Sequence, residues 1–136
     1  MNHLKSSCLF CEIINKDKNA YIVAENDRAI AILDISPVSD GHTLLITKKH
    51  FDDISEIDEE NWKKIFPLLK NVINKLKEVF QPQGFNVISN MGKVASQSVF
   101  HLHIHIIPKY QQEKGFIWTA KPELKYNLDQ VAKKLK

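Results

Sequence analysis

From Asp58 onward, apolar side chains return at three- and four-residue steps: Trp62, Ile65, Phe66, Leu69, Val72, Ile73, Leu76, Val79 and Phe80. That period is one face of an amphipathic helix. Asp58 is placed to cap it, and Glu59 and Glu60 suit the positive end of its dipole. Pro67 falls inside the pattern, where its missing N–H and its ring predict a kink or local break. Gln81-Pro82-Gln83-Gly84 ends the helix.

The rest of the chain alternates on a shorter period. Tyr21 to Glu25 and Ala29 to Leu33 read as strands around an Asn26-Asp27-Arg28 turn. A loop punctuated by Pro37 and Gly41 leads into a third strand, His42 to Thr47. Phe85 to Asn90 and Val99 to Ile107 read as the fourth and fifth strands, joined by a loop from Met91 to Ser98. Cys8 to Ile14 is apolar on a helical period and predicts a short helix. From residue 108 to 136 the chain reads as a polar tail, with a weak helical pattern at Leu128, Val131, Ala132 and Leu135. Residues 1–136 therefore form a single domain. Its expected fold is α+β, an antiparallel five-stranded sheet with one long helix and a short N-terminal helix.

Composition narrows the class. A chain of 136 residues that is 43% hydrophobic and 26% charged can bury a real core, which excludes a disordered chain. No apolar run approaches the ~18–20 residues of a membrane span. Lys5, Ser6, Ser7 and Glu12 interrupt the N-terminal stretch, so no signal peptide is expected and the default compartment is cytoplasmic. The net charge is +3, yet only Arg28 among the 19 basic residues is an arginine. Arginine is the preferred reader of guanine and the preferred fork for phosphate, so specific nucleic-acid binding is not expected. Cys8 and Cys11 form one CxxC, which in a reducing compartment points to metal or redox chemistry before a disulfide.

Three of the six histidines fall within five residues, His101-Leu102-His103-Ile104-His105. On a strand the three imidazoles would share one face, with Leu102, Ile104 and Ile106 on the other. Such a row could ligate a metal through neutral nitrogens. Alternatively one imidazole acts as nucleophile or acid–base while its neighbours hold phosphate. Spacing by itself leaves both open. A serine-hydrolase reading built on Ser98 lacks the Gly-x-Ser-x-Gly elbow and is set aside.

The run His-Leu-His-Ile-His-Ile-Ile resembles the histidine-triad motif. Gln97-Ser98-Val99-Phe100 stands directly before it, as in the Hint branch of that family. Phe10-Cys11-Glu12-Ile13-Ile14 resembles the family's opening helix. Leu33-Asp34-Ile35-Ser36-Pro37 and Gly41-His42 through His50 resemble its nucleotide-binding strand and loop. The likeness runs from about Cys8 to Trp118 and is closest to the bacterial type with an N-terminal CxxC. Val94-Ala95-Ser96 replaces a glycine-rich stretch, and Thr47 stands where a proline is common.

The resemblance implies a nucleotide hydrolase or transferase acting at the α-phosphate. His103 would be the nucleophile, forming a nucleotidyl-histidine that water cleaves, with its other nitrogen donating to a backbone carbonyl. His105, His101 and His42 complete the implied catalytic set. Asn90, Ser98 and Gln97 would bind phosphate. Asp34 would hold the ribose, and Leu9, Phe10, Ile13, Leu33 and Ile35 would line the base pocket. The implied activity is purine nucleoside phosphoramidase on AMP or GMP derivatives, releasing a nucleoside monophosphate. Hydrolysis of dinucleoside polyphosphates, or a nucleotide-binding regulatory role, are the alternatives.

Catalysis of this kind needs no cofactor. Bacterial relatives with the CxxC imply a structural zinc held by Cys8, Cys11, His50 and His101; free buried thiols are the alternative. The family also implies a homodimer built on the long helix and a central strand. Trp118 would approach the partner's site, and no membrane partner is expected.

Overall fold

Ala29 and Ala31 alternate with Ile30 and Ile32 along one strand, and this two-residue period divides the molecule into two layers. The computed structural model describes residues 7–122 and 125–136. In chain order the elements are α1 (Leu9–Ile14), β1 (Ile22–Glu25), β2 (Ala29–Leu33), β3 (Thr43–Thr47), α2 (Glu59–Phe80), β4 (Gly84–Ile88), β5 (His103–Lys109) and α3 (Leu128–Leu135). The five strands form one antiparallel sheet in the order β1-β2-β3-β5-β4.

One face of the sheet belongs to α2. Ala29, Ala31, Leu45, Ile104 and Ile106 pack there against Ile65, Leu68, Leu69, Val72 and Leu76. The alanines leave room for the larger residues of the helix. The other face carries Ile30, Ile32, Leu44 and Ile46, covered by Phe10 of α1 with Ile13 and Ile14. Ile46 pairs with His103 and Leu44 with His105, so both imidazoles project from this second face, away from α2.

Asp58 caps α2 as expected, its carboxylate accepting from Asn61 N–H at 2.8 Å. Gln81 closes the helix in a left-handed conformation. The break expected at Pro67 does not occur, and α2 is continuous from Glu59 to Phe80. Pro67 lies on the exposed side with Lys63, whose carbonyl can be hydrated in place of the missing helix bond. The stripe that touches the sheet is also shifted from the expected one. Leu69 is buried, but Phe66 remains about half exposed and packs on Trp62 with ring centroids 6.2 Å apart.

Two boundaries move for a physical reason. The fifth strand begins at His103 rather than Val99. Leu102 N–H turns to the Phe51 carbonyl (2.7 Å) instead of joining the β3 ladder, so His101 lies outside the strand. At its other end β5 runs through Pro108 to Lys109, two residues into the expected tail. Pairing with β3 ends at Ile106, so the proline meets only β4 and no ladder bond is lost on the β3 side. Beyond β5, the Lys109 ammonium donates to the carbonyls of Gln112, Lys114 and Phe116. Gly115 then passes so close to the Val38 carbonyl that a Cβ there would sit 2.6 Å from its oxygen. This anchors the start of the tail beside the loop that precedes His42.

Among the described residues no helix is long and apolar enough to cross a membrane. Ile65 is almost fully buried between α2 and the sheet. Ile65→Ala is expected to destabilise the fold by about 2–5 kcal/mol. Asp58→Ala removes the cap and also the acceptor of the buried Asn61 side-chain amide (2.8 Å), and should cost about 1–2 kcal/mol. Urea denaturation followed by circular dichroism measures both.

Candidate active site

The sheet face opposite α2 holds two adjoining clusters. The first is His103, His105, His42 and Asp34. His103 is buried in the first position of β5, and its Nδ1–H donates to the His101 carbonyl at 2.7 Å. A neutral imidazole carries one proton, so Nε2 of His103 is left as a lone-pair nitrogen.

The neighbouring rings are fixed by the same reasoning. Val38 N–H donates to His42 Nδ1 at 3.2 Å, which makes that nitrogen an acceptor and puts the ring proton on Nε2. His42 Nε2–H then donates to His105 Nδ1 at 3.0 Å, with Asp34 Oδ2 at 3.4 Å. His105 in turn keeps its proton on Nε2. Asp34 is held by Ser36 N–H, which donates to its Oδ1 at 2.9 Å. His103 and His105 lie with ring centroids 5.2 Å apart, one presenting a lone pair and the other an N–H.

Burial keeps these rings neutral. Desolvation pushes His105 down to about 4, helped by the like charges that His103 and His42 would carry. His42 and His103 are lowered for the same reason, against the opposing pull of Asp34 on both and of the His101 carbonyl on His103. Asp34, His42 and His105 also offer atoms within 4.8 Å of one another. A metal there would need His42 Nε2 without its proton while Nδ1 still accepts from Val38. The group is a hydrogen-bonded relay rather than a cation site.

The second cluster is Cys8, Cys11, His50 and His101, whose donor atoms all lie within 4.8 Å of one another. Cys8 caps α1 and accepts from Cys11 N–H, which folds the CxxC back on itself. His101 Nδ1 is 3.3 Å from Cys8 Sγ and 3.4 Å from Cys11 Sγ, and His50 Nδ1 is 3.3 Å from Cys11 Sγ. Both imidazoles use Nε2–H elsewhere. His101 donates to the Thr47 carbonyl at 2.7 Å, and His50 donates to Asp52 Oδ1 at 2.9 Å. Both Nδ1 atoms are thereby free to ligate, each oriented by an outer acceptor as metal-binding histidines usually are. Two thiols and two such imidazoles can hold a metal ion.

The remaining residues singled out by sequence separate into three groups. Phe10 meets His103 edge-on at 4.9 Å between centroids, and Ile13 packs on the same face, beside the imidazoles. Asn90 reaches the Ser96 carbonyl at 3.4 Å, while Ser98 and Leu9 line a groove of about 540 Å³ with Cys8, His50 and Asp52. Ile35 is largely exposed.

Two assignments fail on geometry. Leu33 sits opposite Thr43 on the α2 face and lines an apolar cleft with Val72, Leu76 and Phe80. Alternation puts its neighbour Ile32 on the imidazole face instead. Gln97 is buried with both amide hydrogens taken, one by the Asp52 carbonyl (2.6 Å) and one by the Val99 carbonyl (3.2 Å). Its oxygen accepts from Gly92 N–H at 2.8 Å, so it braces the loop and has no donor left for phosphate.

Sequence reasoning missed Ile32, although the Ala/Ile alternation of β2 carried the signal. It also missed Ser89, whose hydroxyl donates to the His103 carbonyl at 2.8 Å, and the outer acceptors Asp52 and Thr47. Nothing in the local pattern marked those three.

Comparison with known proteins identifies the family and the fold. A family model described as the HIT domain matches residues 15–112. A HIT-like protein of Mycoplasma genitalium is 44% identical over 125 residues, spanning 92% of this chain and 89% of that one. The adenosine 5′-monophosphoramidase of Schizosaccharomyces pombe is 37% identical over 136 residues, spanning 96% and 99%. A crystal structure of a HIT family member from Bacillus subtilis superposes with a TM-score of 0.89 at 36% identity, covering 96% of this chain and 95% of that one. This chain belongs to the HIT family.

The buried neutral rings give stability a pH dependence. His105 titrates near 4 in the folded protein and near 6.5 when exposed, so the unfolded chain binds more protons between these values. Its contribution is fully present above about pH 6.5 and is lost as pH falls toward 4. The unfolding free energy of the wild type should drop across that window. His105→Gln should flatten the drop, as urea midpoints measured at half-unit pH intervals will register.

Proposed function

We propose that this HIT-type hydrolase is a purine nucleoside phosphoramidase that works through a nucleotidyl-histidine. One observation carries the reading: the His103 Nδ1–H bond to the His101 carbonyl, which leaves Nε2 as a neutral, lone-pair nucleophile. That lone pair attacks the α-phosphorus and forms a P–N bond. The bond from phosphorus to the leaving nitrogen breaks with its electron pair, and that nitrogen takes a proton from solvent water and departs as the amine. Water then cleaves the phosphoramidate to the nucleoside monophosphate and restores His103.

The other residues act on the charge and the pose. His105 Nε2–H, held by the His42 relay, donates to the phosphoryl oxygens as negative charge develops there. Asn90 and Ser98 supply further neutral donors at the mouth of the loop. Asp34 accepts from the ribose hydroxyls, and the base lies on the apolar surface of Phe10, Ile13 and Ile32, with Leu9 and Ile35 at its margin. The 37% identical phosphoramidase supports an adenosine 5′-amidate as substrate.

His103→Ala should lower turnover by at least about a thousandfold, as loss of a covalent nucleophile does, while AMP still binds. Single-turnover trapping on an adenosine phosphoramidate and on diadenosine tetraphosphate tests this. A variant that retains a substantial rate on either substrate refutes the assignment, and the faster substrate names the leaving group class.

The metal in the second cluster is zinc on this reading. Thiolate and imidazole are its usual ligands, and four protein donors leave no position for a reactive water. It supplies structure, and no step of the reaction passes through it. Protein purified without chelator should contain about one zinc per chain by elemental analysis, with Cys11→Ser falling well below that.

The active form is a homodimer. The expected central strand cannot pair with a copy, because β2, β3 and β5 are each paired on both sides. Among the described residues only β1 and β4 have a free edge. A shared sheet would use β4, which lies beside the imidazole-bearing β5 and would become central only in the joined sheet. The exposed Phe66 on Trp62 gives α2 an apolar outer surface. Trp118, also exposed, follows the anchored loop toward a partner. Light scattering at micromolar concentration should give twice the monomer mass, and a strictly monomeric mass excludes this assembly.

A further inference from the structure

His101 belongs to both clusters. Its ring nitrogen Nδ1 lies 3.3 Å from Cys8 Sγ and 3.4 Å from Cys11 Sγ, while its backbone carbonyl receives His103 Nδ1–H at 2.7 Å. That carbonyl lies outside the sheet ladder, because pairing between β3 and β5 begins only at His103. The end of β3 and the loop that follows it hold the peptide instead. Leu102 N–H donates to the Phe51 carbonyl (2.7 Å), Thr47 N–H donates to the Leu102 carbonyl (3.4 Å), and the His101 ring donates to the Thr47 carbonyl (2.7 Å). The same loop carries His50. Phe10, the neighbour of Cys11, stands edge-on to both His101 and His103.

The four donors therefore tie together α1, the segment that runs from the end of β3 to Asp52, and His101, two residues before β5. Those three segments surround the carbonyl on which the tautomer of His103 depends. We propose that metal binding in the Cys8, Cys11, His50 and His101 cluster holds that carbonyl in place, making His101 a positioning residue that transmits the metal's grip to the His103 imidazole. A hydrogen bond fails once the acceptor moves by a fraction of an ångström beyond its range or tilts out of line. Without it His103 can move its proton to Nε2, the nitrogen that must stay bare. This rests on the reading of His103 as nucleophile, and it assigns the cluster a role beyond fastening the N-terminal segment.

The test uses the full chain labelled with 15N at histidine, zinc-loaded, then stripped with a chelator and dialysed. The imidazole 15N and 1H spectra report which nitrogen of His103 carries the proton, and single-turnover nucleotidyl transfer reports the rate. After stripping, the native amide spectrum should persist while the His103 Nδ1–H signal is lost to exchange and Nε2 becomes partly protonated. Transfer should slow about tenfold or more, the scale on which outer-sphere partners of metal sites act, with AMP affinity changed by less than about threefold. Added zinc should restore signal and rate in the wild type but not in Cys8→Ser.

A folded, zinc-free protein with an unchanged His103 signal and rate overturns the proposal. Collapse of the amide spectrum on stripping also overturns it, because the metal then supports the whole domain rather than this carbonyl. If no nucleotidyl-protein forms even with zinc bound, the nucleophile reading is what fails, and the imidazole spectrum still decides the coupling.

Discussion

The bond from His103 Nδ1–H to the His101 carbonyl sets the chemical character of the imidazole face. Without it His103 is one more buried neutral histidine, free to protonate either nitrogen. With it, Nε2 has a lone pair and no proton. The bond depends on a carbonyl that the β-ladder does not use, and that carbonyl is available because β5 starts two residues later than the histidine pattern. The irregular peptide at His101–Leu102 is therefore functional structure, held by Thr47 and Phe51 rather than by sheet pairing.

Neutrality is the second theme. A phosphate site is commonly built from arginine or lysine, but the described imidazole face has neither within its hydrogen-bonded groups. Burial lowers His42, His103 and His105 from their ordinary range, so the rings work as N–H donors and lone-pair acceptors. Each tautomer follows from one backbone contact: Val38 N–H at His42 and the His101 carbonyl at His103. Two backbone groups thus orient three side chains, and the second cluster fixes its two imidazoles with one backbone group, the Thr47 carbonyl, and one side chain, the Asp52 carboxylate. Fixed dipoles of this kind need little reorganisation as charge develops at a bound phosphoryl group.

Legibility followed the range of the forces involved. The helix period from Trp62 to Phe80, the Asp58 cap and the Ala/Ile alternation of β2 are local, and each was readable from a window of a few residues. The His-x-His-x-His run was visible for the same reason. Pro67 misled because the rule against proline in helices omits which side of the helix it occupies, and here the orphaned carbonyl faces water. Leu33 misled because its place in a motif outweighed strand parity, which puts it with Ala29 and Ala31 on the α2 face. Gln97 misled because its neighbours in sequence are site residues, while its amide is saturated by three backbone groups, one of them 45 residues away in the chain.

The sequence by itself determined the elements, the apolar division of the sheet into two faces, and the identity of the imidazoles and thiols that could do chemistry. These are set by side-chain type and by periods of 2 and 3.6 residues, both properties of the chain alone. Only the tertiary structure decided which nitrogen of each imidazole carries a proton. It also decided that His101 leaves the row to join Cys8 and Cys11, and that His50 comes to meet them from 39 residues along the chain. Tautomer and ligand geometry depend on where a distant carbonyl or sulfur lies to within tenths of an ångström. That position is fixed by packing over the whole domain, which no local window of sequence contains.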